Sequence, residues 1–109
     1  MREEDSSSFV SLKKIISALD ANNEYFLSIF KSKGFDMGLL RLRKGEIDNQ
    51  EPHPVDEVYF VIEGTGHIEI ENNMKQVSRG DFIFVPANFH HRFVVGNKDL
   101  IVLYLFGRS

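Results

Sequence analysis

The sequence predicts an all-β domain, a sandwich or barrel of short strands with one short N-terminal helix. Short apolar runs follow one another at even spacing after residue 23, and turn-forming Gly, Asn, Asp and Pro residues separate them. The runs span roughly residues 24–31, 35–44, 57–63, 66–71, 74–78, 82–85, 90–95 and 99–106. Asn72 and Asn73 predict a tight hairpin, because Asn tolerates the positive φ of such turns. A chain of 109 residues has room for one domain, and we expect it over residues 8–109, behind a flexible tail of residues 1–7.

The segment before the strands has the periodicity of a helix. Apolar residues recur there at helical spacing and form one stripe, namely Phe9, Leu12, Ile15, Ile16 and Leu19. We expect Ser8 to cap this helix and the run from Asp20 to Asn23 to end it. Because so short a helix is marginal in water by itself, it should dock on the sheet.

Composition argues against several classes of protein. The chain has no Cys, so disulfides, thiolate metal sites and a Cys nucleophile are excluded. A net charge of −3 and the lack of a basic stripe argue against a nucleic-acid partner. No apolar run approaches the roughly 18 residues of a membrane helix, and Met1–Ser8 does not resemble a signal peptide. We therefore expect a cytoplasmic protein without a membrane partner.

Histidine and carboxylate side chains fall where they can meet. Residues two or four apart on a strand share a face, so Glu51, His53 and Glu57 can point into one cavity. His90 and His91 follow beyond a hairpin, and one of them completes the site if their strand pairs across the barrel. Two imidazoles with one or two carboxylates suit divalent iron, manganese, zinc, nickel or copper.

The spacing of these residues resembles the two sequence motifs of the cupin superfamily. Gly45, five residues, Glu51-Pro52-His53, three residues, Glu57, six residues and Gly64 correspond to the first motif. Gly80, five residues, Pro86-Ala87-Asn88, two residues and His91 correspond to the second. Together the two motifs cover residues 45–91 with every spacing intact.

The resemblance implies a cupin-type β-barrel, a double-stranded β-helix or jelly roll, that holds one divalent metal ion. The ligands that it implies are Glu51, His53, Glu57 and His91. It also implies a homodimer, since small cupins are commonly dimers. The Phe residues of the later strands are expected to pack in the core and in that interface, namely Phe82, Phe84, Phe89, Phe93 and Phe106.

The sequence departs from the motifs at three positions. Glu51 replaces the first motif His, Asn88 replaces the second motif Gly, and Val95 stands at the closing Asn. Asn88 can adopt the left-handed conformation of the Gly that it replaces. Three occupants remain for the coordination position of the missing His: Glu51, water, or Gln50 if Pro52 shifts the register.

Two further residues are pocket candidates. Arg41 alternates with Leu40 and Leu42, so it either clamps a carboxylate or phosphate at the barrel mouth or lies at a solvated sheet edge. Tyr59 shares a face with Glu57, which makes it either a proton donor near the metal or a core aromatic residue.

Two functions remain open at this point, beside a third interpretation as a purely structural cupin with a vestigial site. One is a metal-dependent enzyme of dioxygenase, isomerase or lyase type that acts on a small polar metabolite. The other is a non-enzymatic cupin that binds or senses a small ligand, with an anchoring or vestigial metal site. Fold resemblance cannot choose between them.

Overall fold

The computed structural model describes residues 7–23, 25–48 and 50–108. Most of the predicted tail, residues 1–7, lies outside these ranges. One helix is followed by eight strands: α1 Leu12–Asn22, β1 Phe26–Lys31, β2 Phe35–Leu42, β3 Glu57–Glu63, β4 Thr65–Ile70, β5 Asn73–Ser78, β6 Phe82–Val85, β7 His91–Val95 and β8 Leu100–Gly107. The predicted all-β fold with one N-terminal helix is therefore confirmed.

The strands form two antiparallel sheets that face each other across one core. The larger sheet has the order β1-β2-β8-β3-β6, and the smaller has the order β5-β4-β7. Tyr59 and Val61 of β3 pack against Ile68 of β4 and Phe93 of β7 in this core. Buried and more exposed residues alternate along β3, because one face of this strand packs in the core.

The hairpin between β4 and β5 has the predicted chemistry but turns one residue earlier than expected. Ile70 pairs with Asn73, so Glu71 and Asn72 are the central residues of the turn. Both have positive φ, 46° and 71°, as a two-residue turn of this hand requires.

The helix begins later than predicted. Ser11, not Ser8, is the N-cap, and its hydroxyl accepts a hydrogen bond from the Lys14 N–H at 3.3 Å. Phe9 precedes the helix and is 99% exposed, so it is not part of the apolar stripe. Ile15 and Leu19 form the buried part of that stripe. Within the described part of the chain, no helix is long and apolar enough to cross a membrane.

The helix covers the outer face of the larger sheet. Ile15 and Leu19 pack there against Leu39 of β2 and Ile101 of β8. Leu40 and Leu42 point the opposite way, into the core between the sheets. Residue 41 therefore lies on the helix-covered side of β2, since neighbours on a strand alternate faces.

The predicted Phe cluster divides between the core and the surface. Phe93 is buried, and Phe106 is partly buried against the core. Phe82 and Phe84 are 75% and 59% exposed because they point outward from β6, an edge strand of the larger sheet. Phe89 also has an exposed side chain.

Candidate metal centre

Both sheets and one loop contribute to a cluster of polar side chains inside the fold. Glu57 and Tyr59 lie on β3 of the larger sheet, and His91 is the first residue of β7 in the smaller sheet. His53 lies in the loop between β2 and β3. Its carbonyl oxygen accepts the Asn88 N–H at 2.6 Å. This bond ties the loop to the turn before β7, where Asn88 has the expected left-handed conformation, with φ of 68°.

Three of the four predicted metal ligands come together. The Glu57 Oε1 atom lies 3.3 Å from His53 Nε2 and 3.6 Å from His91 Nε2. One ligand atom from each of the three residues lies within 4.8 Å of the other two. Glu57 and His91 are buried, whereas the His53 side chain is 31% exposed. The fourth predicted ligand, Glu51, is exposed and lies outside this group.

The hydrogen bonds of the two imidazoles suit a metal ion. His91 Nδ1 lies 3.0 Å from the Phe89 carbonyl oxygen, an acceptor, so Nδ1 donates its proton there. In the neutral imidazole, Nε2 then presents a lone pair to Glu57 and Tyr59. His53 Nε2 is buried and has no hydrogen-bond partner. A metal-ligating His commonly has its second nitrogen bonded to a carbonyl, as His91 does, and the unpartnered His53 nitrogen fits the same role.

Tyr59 lies at the centre of the cluster. Its hydroxyl is 2.5 Å from Glu57 Oε2, 2.9 Å from His91 Nε2 and 3.0 Å from Gln50 Oε1. Burial raises the pKa of Tyr59 far above its usual value, and the charge of Glu57 and the hydrogen bond to it raise it further. The hydroxyl therefore keeps its proton and acts as a donor to its neighbours.

Two residues next to the cluster belong to a hydrogen-bond network that strand periodicity does not reveal. Gln50 Nε2 donates to Asp48 Oδ2 at 2.8 Å, and the backbone N–H of Phe93 donates to the same oxygen at 2.8 Å. The Tyr25 hydroxyl donates to the other Asp48 oxygen. The motif spacing offers Gln50 as an alternative to Glu51, but no sequence pattern points to Asp48. Both lie in a loop, where side chains follow no fixed period, so only the motif spacing pointed to this region.

Arg41 is far from the role that its position suggested. It is 5% exposed, and its guanidinium pairs with the Asp20 carboxylate and donates to the Leu19 carbonyl oxygen at 3.1 Å. Both partners lie in the last turns of α1, where free carbonyls favour a cation. Arg41 is thus neither at the barrel mouth nor at a solvated edge, because the docked helix covers its face of β2.

Two cavities border the cluster, and Gln50 lines both. The first has a volume of about 330 Å³ and an acidic rim that includes Glu51 and Glu71. The second has a volume of about 240 Å³ and reaches His53. Its wall is mainly aromatic, with Asp36 among the lining residues beside Tyr25, Phe26, Tyr104 and Phe106.

Comparison with known proteins agrees with this geometry. Residues 38–106 match the family model described as the cupin domain, so this chain belongs to the cupin domain family. The resemblance of the two motifs to cupins is therefore confirmed.

Particular relatives add detail. An uncharacterized protein of Streptomyces coelicolor is 38% identical over 86 residues, which make up 79% of this chain and 82% of that protein. An acireductone dioxygenase of Drosophila pseudoobscura pseudoobscura is 32% identical over 54 residues, or 45% of this chain and 29% of that enzyme. The match thus spans less than a third of the dioxygenase. A solved structure from Bacillus halodurans aligns with a TM-score of 0.79 at 20% identity, over 94% of this chain and 83% of that one, which supports the fold alone.

Proposed function

We propose that this chain binds a divalent metal ion through His53, Glu57 and His91 and acts as a metal-dependent enzyme on a small polar metabolite. The observation that carries the proposal is the buried Glu57 carboxylate between two imidazole nitrogens, of which His53 Nε2 is buried and has no hydrogen-bond partner. Among the described residues, no Lys or Arg forms an ion pair with Glu57. A buried carboxylate needs a counter-charge, and a cation held by these three residues would supply it.

The donor atoms favour some metals and leave several open. Two imidazole nitrogens and a carboxylate oxygen suit iron, manganese, zinc, nickel or copper in the divalent state. When bound, such an ion would supply a Lewis acid that polarises a substrate oxygen or lowers the pKa of water. The hydroxyl of Tyr59 holds Glu57 Oε2, which leaves Oε1 facing the imidazoles. The Phe89 carbonyl orients His91 in the same direction.

The side chains of the cavity that reaches His53, considered without the metal ion, favour a small ligand that is uncharged or cationic. Its lining includes four aromatic side chains and the Asp36 carboxylate, but no Lys or Arg. Aromatic faces attract cations, and a carboxylate disfavours anions. Lys31 is the cross-strand partner of Asp36 but does not line the cavity. A phosphorylated or carboxylate substrate would therefore find no Lys or Arg here, and its negative charge would have to be bound by the metal ion.

The reaction type is a dioxygenase, isomerase or lyase reaction. The partial similarity to an acireductone dioxygenase supports the first of these. The alternative is a cupin that binds or senses a small ligand without turnover, which the position of Glu51 outside the cluster favours. Here the motif His is replaced by a residue that does not approach the other three ligands.

Metal content tests the site directly. Elemental mass spectrometry of the purified, untagged chain should find close to one equivalent of a single metal. A His53→Ala/His91→Ala double variant should lose it. A matched His67→Ala/His90→Ala variant changes two exposed histidines outside the cluster and should keep the metal. If the wild-type protein remains metal-free after reconstitution with iron, manganese, nickel and zinc, the proposed metal site and the proposed metal-dependent activity are both wrong.

Ligand charge is tested with three molecules of nearly the same shape: choline, 3,3-dimethyl-1-butanol and 3,3-dimethylbutyrate. In titrations of the metal-free protein followed by amide chemical shifts, the cation and the alcohol should perturb residues of the aromatic cavity, and the anion should not. Preferential binding of the anion would contradict the proposed ligand class. A metabolite that binds to the metal-loaded protein without turnover would favour the sensing alternative.

We also propose that the chain is a homodimer. Phe82 and Phe84 present an exposed apolar surface on the edge strand β6, and exposed edges of this kind favour pairing with another chain. Light scattering should report twice the chain mass for the wild-type protein and the single mass for a Phe82→Ser/Phe84→Ser variant. A monomeric wild type would contradict the proposal.

A further inference from the structure

Besides Tyr59, one more side chain reaches the cluster that the three candidate ligands form, and it is an amide. Gln50 Oε1 lies 3.0 Å from the Tyr59 hydroxyl and 3.3 Å from His91 Nε2. It is the residue before Glu51, which occupies the position of the missing motif His and is exposed. The chain therefore brings a neutral oxygen to the place where the sequence spacing suggested a carboxylate.

The orientation of the Gln50 amide follows from its neighbour. Asp48 is buried and, as a carboxylate, can only accept hydrogen bonds. The group of Gln50 that faces it at 2.8 Å must therefore be the NH₂ group, which leaves the carbonyl oxygen on the side of His91 and Tyr59. Asp48 is itself held by the Phe93 N–H and the Tyr25 hydroxyl. The direction of the Gln50 oxygen is thus set by a partly buried hydrogen-bond network and not by an arbitrary rotamer.

The cluster has more lone pairs than protons. Glu57 Oε2, His91 Nε2 and Gln50 Oε1 all lie within hydrogen-bond distance of the Tyr59 hydroxyl, which has one proton to donate. His91 donates its own proton to Phe89, away from the cluster. Gln50 Oε1 and His91 Nε2 then face each other at 3.3 Å as two acceptors. Buried acceptors that face one another without a proton repel, and a shared cation turns that repulsion into coordination.

We infer that Gln50 Oε1 is the fourth protein ligand of the metal ion, that Asp48 is the residue that positions it, and that Glu51 is not a ligand. The inference rests on the metal site proposed above. The resulting donor set has two nitrogens and two oxygens, with only one negative charge, from Glu57. A Glu51 carboxylate in the same place would have given two. Amide and carboxylate oxygens beside imidazoles suit manganese and iron as well as zinc.

Metal affinity of the full chain tests the inference by competition with a chromophoric chelator, with Mn²⁺ and Zn²⁺ as probes. Gln50→Ala should weaken binding at least about tenfold, and Asp48→Asn, which presents an amide to the Gln50 NH₂ group, should weaken it about tenfold or more. Gln50→Glu keeps an oxygen in place and should retain binding. The matched neighbour, Glu51→Ala, should bind within about threefold of wild type, as a surface substitution does.

A spectroscopic measurement separates a lost ligand from a damaged fold. The visible absorption of the Co²⁺-loaded protein reports the ligands of the ion, so it should change in Gln50→Ala and remain as in wild type in Glu51→Ala. Circular dichroism of the metal-free variants gives the fold control, and Gln50→Glu serves if Gln50→Ala does not fold. Unchanged metal affinity and spectrum in Gln50→Ala, or an equal loss of metal affinity in Glu51→Ala, would overturn the inference about Gln50 but leave the metal site standing. A wild-type chain that binds neither probe would overturn the metal site and Gln50 together.

Discussion

Replacing Glu57 by Gln tests the electrostatics of the cluster, because the two side chains have the same shape and differ in charge. The Glu57 carboxylate is 1% exposed, with Tyr59 as its hydroxyl donor. Its other oxygen lies 3.3 Å and 3.6 Å from the two imidazole nitrogens. The amide removes the buried charge. It also provides N–H groups to a cluster that has too few protons.

The expected effect on the free energy of unfolding depends on whether metal is bound. Burying an ion without a full counter-charge costs several kcal/mol, and a hydrogen bond to the charge offsets about 1.5–3 kcal/mol of this. Glu57→Gln should therefore raise the free energy of unfolding of the metal-free protein by about 1–3 kcal/mol, or about 4–8 °C of melting temperature for each kcal/mol. With metal at a hundred times its Kd, the wild type gains about 2.7 kcal/mol. The variant gains much less, because it has lost the anionic ligand. The difference in free energy of unfolding between the variant and the wild type therefore narrows or reverses.

Urea denaturation followed by circular dichroism measures the free energy of unfolding of wild type and variant, once in EDTA and once in excess Zn²⁺ or Mn²⁺. The control is Glu63→Gln, an exposed position on the same strand, which should change either value by less than about 0.5 kcal/mol. Two results would refute the reasoning. One is that Glu57→Gln destabilises the metal-free protein. The other is that the variant gains as much from metal as the wild type does.

Two further predictions concern the aromatic and glycine positions of the core. Burial raises the pKa of each of the three tyrosines, so the native state retains protons that the unfolded chain releases above about pH 10. Stability should be fully present below that pH and fall above it, by up to about 1.4 kcal/mol per pH unit for each tyrosine. Most of the change in tyrosine absorbance should then accompany unfolding, and a complete phenolate titration of the folded protein would contradict this. The second prediction is that Gly38→Ala lowers the free energy of unfolding by about 1–3 kcal/mol, since its Cβ would meet the Leu27 carbonyl oxygen and lie 2.5 Å from the Tyr104 hydroxyl. Gly107→Ala, with nothing within 4 Å, is the control, and equal thermal melts of the two variants would show the expected clash to be wrong.

The sequence by itself determined the features that depend on local periodicity and turn chemistry. A period of two along β3 places Glu57 and Tyr59 on one face, and both are buried in the cluster. The hairpin after β4 follows from the tolerance of Asn for positive φ. The position of His91 followed from motif spacing, which encodes the distance around the fold in numbers of residues. Such features are predictable because each depends on a few neighbouring residues.

Only the tertiary structure decided which side chains of the long loop enter the cluster. Strand periodicity across residues 51–57 predicted that Glu51 and His53 share a face, but residues 51–56 form no strand, and Gln50 approaches the cluster instead. Asp48 has a role because strand β7 presents the Phe93 N–H to it, 45 residues further along the chain. A loop has no repeat from which the direction of a side chain can be read. Its partners come from distant segments, and they meet only when the two sheets close on one core.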